Sequence, residues 1–355
     1  MAPGLRRRAA QFAAVATAAL SLSGPVPADP PARLIGFDAL DGWVQDDHAE
    51  ALGVFLDSCP DMDGADWRSL RARGEAAHRT GAARAFFERA FHPVLIGSAE
   101  DALFTGYFEP ELLGSRQRSP RFTVPIYRAP PDLPRGRPWA TRAEIERDGL
   151  LAGRGLEIAW LADPVDKFFL QVQGSGRIRL ADGAVIRVGY GGRNGHEYRS
   201  IGRELVRRGV LPAHRVSAGE IRDWVRRNPE AGRDLLYHNP SYVFFREVAV
   251  GPDEGPLGAM NRPLTALRSL AVDPAHVPLG APVWVETAGP APLARLMVAQ
   301  DTGSAIKGPQ RGDVFYGSGD AAGEAAGAVK DPGRMVVLLP IDRAHARVAG
   351  AVPGG

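Results

Sequence analysis

The stretch VAQDTGSAIKGPQRGDVFYGSGD, residues 298–320, joins two β-prone apolar segments through a turn-rich loop. Asp301 closes the first segment and Asp313 opens the second, while Asp273, in SLAVDPAHVPLG, closes another such segment upstream. Strand ends gather at one rim of a β-barrel, and functional residues concentrate on the loops there. The three carboxyl groups are therefore candidates for one site. Aspartate is also a common cap of turns, and we favour that interpretation for Asp273.

Asp313 is set apart by the residues beside it. The segment VFY directly after it supplies an apolar wall, and burial against such a wall raises the pKa of a carboxylic acid towards neutral pH. Two cations, Lys307 and Arg311, would oppose this rise if their side chains turn inward. The pattern favours Asp313 as an acid that keeps its proton near neutral pH.

Three other kinds of site fit the sequence less well. Asp301-Thr302-Gly303 also resembles an aspartic protease loop, but that chemistry needs two such loops or a homodimer, because two carboxylates must share a proton. Gly174-Ser175-Gly176 has strand-like segments on both sides, whereas a nucleotide-binding βαβ unit needs a helix after the glycines. The eight histidines are scattered without metal-ligand spacing. We therefore predict no nucleotide, no metal and no other cofactor.

Charge and the N-terminus indicate an exported protein that does not bind nucleic acid. Lys and Arg number 43 against 41 Asp and Glu, which gives little attraction to a polyanion. Residues 1–28 have the layout of a signal peptide, with three arginines, an apolar stretch at 9–22 and VPA at 26–28. Cys59, the only cysteine, shares a helical face with Leu52 and Phe55. We predict a buried thiol, no lipoprotein cysteine, and a periplasmic or outer-membrane-associated location.

The order of predicted elements indicates a mainly β chain with minor α content. Residues 43–91 are predicted to be helical, and short β-prone segments such as LFTGYFEPEL begin at Leu103. FFLQVQ, residues 168–173, alternates like a strand, and RIRLADGAVIRV at 177–188 predicts a hairpin turning at Asp182-Gly183. Helices follow at about 200–208 and from Ser217, and the segments beyond Pro263 are β-prone. The middle block is predicted to be an insertion within a discontinuous outer domain.

A set of motifs in one order carries a resemblance to a known family. AVDPAHVPLG and the stretch at 298–319 are similar to the three-aspartate (3D) domain, a double-psi β-barrel. LFTGYFEPEL, VPIYRAP, FFLQVQGSGRIRL, GGRNGHEYRSIGRELVRRG and NPSYVFFREV precede them. Together they resemble the membrane-bound lytic murein transglycosylase A family from about Phe104 to Leu339. The resemblance implies a double-psi β-barrel domain built from residues 32–107 and 246–343. Across a groove, residues 108–245 would form a second β-barrel-like domain.

The resemblance also implies a substrate, the glycan strands of peptidoglycan, and possible partners among other cell-wall enzymes. Such an enzyme cuts the β-1,4 bond between N-acetylmuramic acid and N-acetylglucosamine and leaves a 1,6-anhydro ring. The implied acid, then base, is Asp313, with Asp301 in support. Further residues are implied to meet the glycan: Thr105, Gln173, Ser175, Tyr190, Asn194 and Lys307. The alternative is a peptidoglycan-binding module without catalysis.

Overall fold

The structure of the chain is a computed structural model that describes residues 30–62, 64–251 and 254–350. The predicted signal peptide, residues 1–28, lies outside these residues. Within them the chain is mainly β, as predicted, with fifteen strands and ten α-helices.

The strands are β1 (Ala32–Leu34), β2 (Phe91–Ile96), β3 (Leu103–Glu109), β4 (Glu111–Ser115), β5 (Val124–Tyr127), β6 (Glu157–Leu161), β7 (Gly176–Arg179), β8 (Val185–Arg193), β9 (Val243–Glu247), β10 (Ser269–Val272), β11 (Pro282–Thr287), β12 (Ala294–Thr302), β13 (Arg311–Ser318), β14 (Lys330–Asp331) and β15 (Gly333–Pro340). The α-helices are α1 (His48–Ser58), α2 (Ala65–Arg79), α3 (Ala83–Ala90), α4 (Arg142–Glu146), α5 (Pro164–Gln173), α6 (Ile201–Arg207), α7 (Ala218–Arg227), α8 (Pro229–His238), α9 (Asp320–Gly327) and α10 (Ile341–Val348).

The first sheet takes its strands from two distant parts of the chain. In the described residues it has nine strands, in the order β1-β2-β15-β11-β12-β10-β13-β3-β14. Most neighbours are antiparallel, but β10 runs parallel to β12 and β13 runs parallel to β3. Parallel neighbours cannot be joined by a tight turn. The β3–β13 pair therefore brings together segments that are far apart in sequence.

Helices α1 to α3 cover this sheet with an aromatic core. Phe55 packs against Phe87 and Phe91, and Trp43 packs edge-on against Trp284 of β11. Cys59 is buried in the same cluster, as predicted. Burial raises the pKa of its thiol to about 12, so the group stays neutral and unreactive at ordinary pH.

The second sheet is formed by the middle of the chain. It has six strands in the described residues, in the order β5-β6-β4-β7-β8-β9. The predicted hairpin is confirmed as β7 and β8, with Gly183 at a positive φ of 85° in the turn. The predicted helices are confirmed as α6 and α7, whose N-caps Ser200 and Ser217 accept backbone N–H groups. The double-psi β-barrel and the two domain boundaries stay predictions.

The strand predicted for FFLQVQ, residues 168–173, is wrong. The segment forms the second half of α5. Two local signals outweigh its alternation. Asp163 caps the helix by accepting the N–H of Val165, with Pro164 in the first turn. Gly174 then ends the helix in the left-handed region at φ 82°. The apolar residues of α5 recur at helical spacing, and Phe168 is fully buried with its neighbours.

A buried carboxylate at the end of β3 joins the two sheets. Glu109 is 1% exposed and accepts the Nε of Arg177 at 2.8 Å and the Nη2 of Arg187 at 2.9 Å. It also accepts the hydroxyl of Ser318 on β13 at 2.7 Å. Arg177 and Arg187 belong to β7 and β8 of the second sheet, so this cluster ties the two sheets where the chain crosses between them.

None of the helices among the described residues combines the length and apolar character that a membrane span requires.

Candidate active site

Four strands of the first sheet bring four residues into one row. Ala271 on β10 lies opposite Asp301 on β12 and opposite Asp313 on β13, and Asp313 lies opposite Thr105 on β3. Directly paired residues project from the same face of a sheet. Leu270 and Val272, the two neighbours of Ala271 in β10, face the hydrophobic core instead. The small Ala271 side chain thus leaves an open floor between the two carboxyl groups.

Three members of this row, Ala271, Asp301 and Asp313, line a pocket of about 350 Å³, whereas Thr105 lies outside its lining. Asp301, Asp313 and Tyr107, from strands of the first sheet, line it together with Gln173 and Tyr198, from the middle of the chain. Hydroxyl, amide and aromatic groups therefore surround two carboxyl groups in one cleft, the arrangement expected of a binding site.

Asp313 is placed to exchange a proton near pH 6. Thr105 donates its hydroxyl to Oδ1 of Asp313 at 2.5 Å. Burial raises the pKa of the carboxyl group to about 6, against the lowering by Thr105 and by the charge of Arg311. The charge of Asp301 adds to the rise. A carboxylic acid with this pKa can donate a proton at neutral pH and then accept one.

Asp301 is held by three donors. Its Oδ1 accepts the N–H groups of Ala259 and Thr302, both at 2.9 Å, and its Oδ2 accepts the hydroxyl of Tyr107 at 2.9 Å. Burial still raises the pKa of Asp301 above its usual value. Both oxygens of Asp301 therefore have hydrogen-bond donors. The carboxyl group fixes the backbone at Ala259 and Thr302 and the side chain of Tyr107.

Asp273 caps the loop that follows β10. It accepts the N–H of Gly308 at 2.9 Å and that of Ala275 at 3.3 Å. Although burial opposes it, these bonds and the nearby Lys307 lower the pKa of Asp273. Lys307 itself is exposed, with its Nζ at 3.6 Å from Asp273. Neither residue belongs to the lining of the pocket around Asp313.

The other predicted residues are distributed unevenly. Gln173 lines the pocket and accepts the N–H of Phe108 at 3.4 Å. Ser175 is half-buried just after the end of α5, and Tyr190 is 53% exposed on β8. Both lie outside the lining of this pocket.

Asn194 is a structural residue of the second sheet. It is 1% exposed, and its amide donates to the carbonyl oxygens of Ala140 and Pro240, both at 2.8 Å. Its oxygen accepts the N–H of Tyr242 at 2.8 Å. These bonds use the side chain fully to connect three segments, so the structure does not bring it to the pocket as the sequence led us to expect.

Several residues of the pocket were not among those predicted. Tyr107 alternates with Thr105 in the motif FTGYF, which was a usable signal that both face one side. Arg142 and Tyr198, from the middle of the chain, had no such signal. Among the described residues, no group of three or more His, Cys, Asp and Glu could hold a metal ion.

Comparison with known proteins decides the family. The family described as MltA specific insert domain matches residues 103–246, and the 3D domain matches residues 268–339. A membrane-bound lytic murein transglycosylase A of Vibrio cholerae is 36% identical over 264 residues, which cover 71% of this chain and 69% of that protein. The chain belongs to the membrane-bound lytic murein transglycosylase A family.

Solved structures of the family share this fold. The membrane-bound lytic murein transglycosylase of Agrobacterium tumefaciens is 36% identical with a TM-score of 0.77, over 89% of this chain and 99% of that one. Escherichia coli MltA with bound chitohexaose is 32% identical with a TM-score of 0.70, over 88% of this chain and 93% of that one. These matches confirm the predicted family, the mainly β fold class and the prediction of an enzyme.

Gly106, between Thr105 and Tyr107, is expected to tolerate no side chain. A Cβ there would lie 2.7 Å from Cα of Ala326 and 2.9 Å from Cδ2 of Tyr316. The backbone of α9 cannot move aside as the end of a flexible side chain could. Gly106→Ala should therefore displace β3 and, with it, Thr105 and Tyr107. We expect the unfolding free energy to fall by about 1–3 kcal/mol and the rate on peptidoglycan to fall about tenfold or more. Urea unfolding and initial rates measure the two effects.

The matched control is Gly53→Ala in α1. Gly53 has no atom within 4 Å of an added Cβ, and alanine stabilises a helix interior by up to about 1 kcal/mol over glycine. This variant should keep its activity and gain stability. Equal behaviour of the two variants would contradict the close contact of β3 with α9.

Proposed function

We propose that this protein is a lytic transglycosylase that cleaves the β-1,4 bond between N-acetylmuramic acid and N-acetylglucosamine in peptidoglycan. The observation that carries the proposal is the half-buried Asp313, whose carboxyl group lines the pocket with a pKa of about 6. Membership of the family supports peptidoglycan as the substrate. The chitohexaose bound to E. coli MltA supports a glycan as the ligand of this pocket.

Asp313 would carry both proton transfers. As a neutral acid it gives its proton to the departing 4-oxygen while the bond from C1 to that oxygen breaks. The 6-hydroxyl oxygen of the N-acetylmuramic acid then bonds to C1 of that sugar, and the hydroxyl proton passes to the Asp313 carboxylate. No water is consumed, the product ends in a 1,6-anhydro ring, and the acid is restored. The nucleophile is tethered at a high effective concentration, so a second carboxylate is not needed to activate water.

Other pocket groups would bind and orient the glycan. Gln173, with its amide, and Tyr198, with its phenol ring, are lining residues of the same pocket as the carboxyl groups. Asp301, with both oxygens occupied, would hold Tyr107 in position. Its fixed hydrogen bonds favour this supporting role over the activation of a water molecule. Ser175, Tyr190 and Lys307 stay predictions for contacts further along a bound strand, and a location outside the cytoplasm stays a prediction from residues 1–28.

The rate is expected to fall as the pH rises through about 6. The folded pKa of Asp313 is about 6, and the acid must be protonated when the substrate binds. The value of kcat/KM should therefore be level below this pH and fall about tenfold per pH unit well above it. Initial rates of release from isolated peptidoglycan, measured from about pH 4 to about pH 8, test this. A rate that rises through pH 6 would mean that Asp313 starts the reaction as a base.

The products decide between the candidate functions. Purified protein is incubated with isolated peptidoglycan in heavy-oxygen water, and the soluble muropeptides are weighed by mass spectrometry. Anhydro-muropeptides without the heavy oxygen are expected. Incorporation of the heavy oxygen would mean hydrolysis and would require a second catalytic carboxylate. Binding to peptidoglycan without release would favour the non-catalytic module, and release of peptides by a dimer would favour the protease.

A further inference from the structure

Arg311 enters the site on the same strand and the same face as Asp313. Residues two apart in a strand share a face, and Arg311 lines the same pocket. Its Nη1 donates to the carbonyl oxygens of Leu103 at 2.9 Å and Gly312 at 2.6 Å. Its Nη2 donates to Oγ1 of Thr105 at 2.8 Å. The guanidinium is thus fixed by the backbones of β3 and β13 with one N–H directed at a side chain.

This contact determines which way the Thr105 hydroxyl points. A guanidinium has five donors and no acceptor, so Oγ1 of Thr105 must accept from Arg311. A hydroxyl has a single hydrogen, and the positive charge favours the orientation that turns this hydrogen away. Oδ1 of Asp313, at 2.5 Å, is the acceptor that receives it. The three side chains form a directed chain of hydrogen bonds from Arg311 through Thr105 to Asp313.

We propose that Arg311 is a positioning residue that aims the Thr105 hydroxyl at Oδ1 of Asp313 and so leaves Oδ2 as the one oxygen that gives and receives the transferable proton. The inference rests on the proposed function and deepens it. Among residues 30–62, 64–251 and 254–350, no hydrogen-bond partner holds Oδ2 of Asp313. The proton would therefore leave from Oδ2 and return to Oδ2, without a rotation of the carboxyl group between the two halves of the reaction.

The proposal predicts how two variants combine. Thr105→Val removes the hydroxyl at nearly constant shape, and Arg311→Met removes the donor that aims it. Each is expected to lower kcat about tenfold with little change in KM, because a charge-assisted hydrogen bond is lost at the reacting group. Since Arg311 acts through Thr105, the double variant should lose about as much as the larger single loss. Thr105→Ser, which keeps the hydroxyl, should stay within about twofold of the wild type.

A titration gives a second readout that does not need activity. The Thr105 hydroxyl lowers the pKa of Asp313 against its burial, so Thr105→Val should move the titration of the Asp313 carboxyl carbon, followed by ¹³C NMR, to higher pH. Thr105→Ser should leave it in place. The activity profile of Thr105→Val should move upward by the same amount.

The outcomes separate this inference from the proposed function. Losses that multiply in the double variant, or a carboxyl titration unmoved in Thr105→Val, would overturn the positioning role while the wild type still releases anhydro-muropeptides. A wild type that releases none would overturn the proposed function, and the NMR titration would still test the directed hydroxyl. Arg147→Met removes an exposed arginine whose one ion-pair partner among the described residues is Asp148, and it controls for the loss of a charge. If Arg311→Met unfolds because its two carbonyl contacts are lost, Arg311→Gln, whose amide can still donate to a carbonyl oxygen, replaces it alone and in the double variant.

Discussion

Asp313→Asn is expected to lower the rate of anhydro-muropeptide release by a factor on the order of 10³. The amide keeps the shape of the carboxyl group but cannot give up a proton to the departing oxygen. Mass spectrometry of the soluble products from isolated peptidoglycan measures the loss. Residual release within about tenfold of the wild type would mean that another group supplies the proton.

The same variant should be more stable than the wild type at neutral pH. The pKa of Asp313 rises from its usual 3.8 to about 6 in the folded protein, so folding favours the protonated form. Folded-state stability is therefore highest below about pH 4 with respect to this group and falls as the pH rises to about 6. The fall corresponds to at most about 3 kcal/mol, and Asp313→Asn should abolish it. Loss of activity together with gain of stability cannot be mistaken for unfolding.

Urea unfolding at about pH 4 and about pH 7 measures this difference. Asp182→Asn is the matched control, because Asp182 is exposed in the β7–β8 turn and asparagine suits the same turn. It should change neither the rate nor the pH dependence of stability. An Asp313→Asn protein that is less stable than the wild type at both pH values would contradict the raised pKa of Asp313.

Glu109→Ala is expected to lower the unfolding free energy by about 3–5 kcal/mol. Glu109 is 1% exposed and accepts from Arg177, Arg187 and Ser318. Removing it leaves the guanidinium of Arg187, itself 6% exposed, without its carboxylate in a buried place. Breaking one side of a buried ion pair costs more than the pair contributes, since the remaining charge stays desolvated.

Two residues further along the chain, Glu111→Ala is the matched control. Glu111 forms the same kind of pair with Arg179, but both side chains are substantially exposed, and exposed pairs contribute about 0–1 kcal/mol. Urea unfolding of both variants should therefore differ by several kcal/mol. Similar small losses would mean that water enters the junction between the sheets and replaces the carboxylate.

Local patterns in the sequence were sufficient to predict most elements and the raised pKa of Asp313. The apolar segment after Asp313 indicated a buried carboxyl group, and the aspartate–glycine turn fixed the β7–β8 hairpin. FFLQVQ failed because period-2 alternation over six residues fits a short helix as well. The caps at Asp163 and Gly174 would have decided for the helix.

The contacts within the site depended on information that one sequence does not hold. Whether Arg311 turns inward follows from the register of β13 against β3, which no local pattern encodes. Asn194 fits a polar sugar contact by composition, yet its position beside three backbone groups makes it a buried connector. Only the pairing of distant segments distinguishes a groove residue from a scaffold residue of the same type.

The alignment of β3 with β13 has a consequence for the timing of folding. Thr105 and Asp313 are 208 residues apart. Contacts of such sequence separation form late, because closing the long loop between them costs entropy before the contacts contribute any stability. The helices α1 to α3 and the β7–β8 hairpin consist of local contacts and can form first. A chain that is still emerging, or one cut short of β13, therefore has most of its secondary structure but no acid. The pocket around Asp313 is therefore completed only when the last strands are in place.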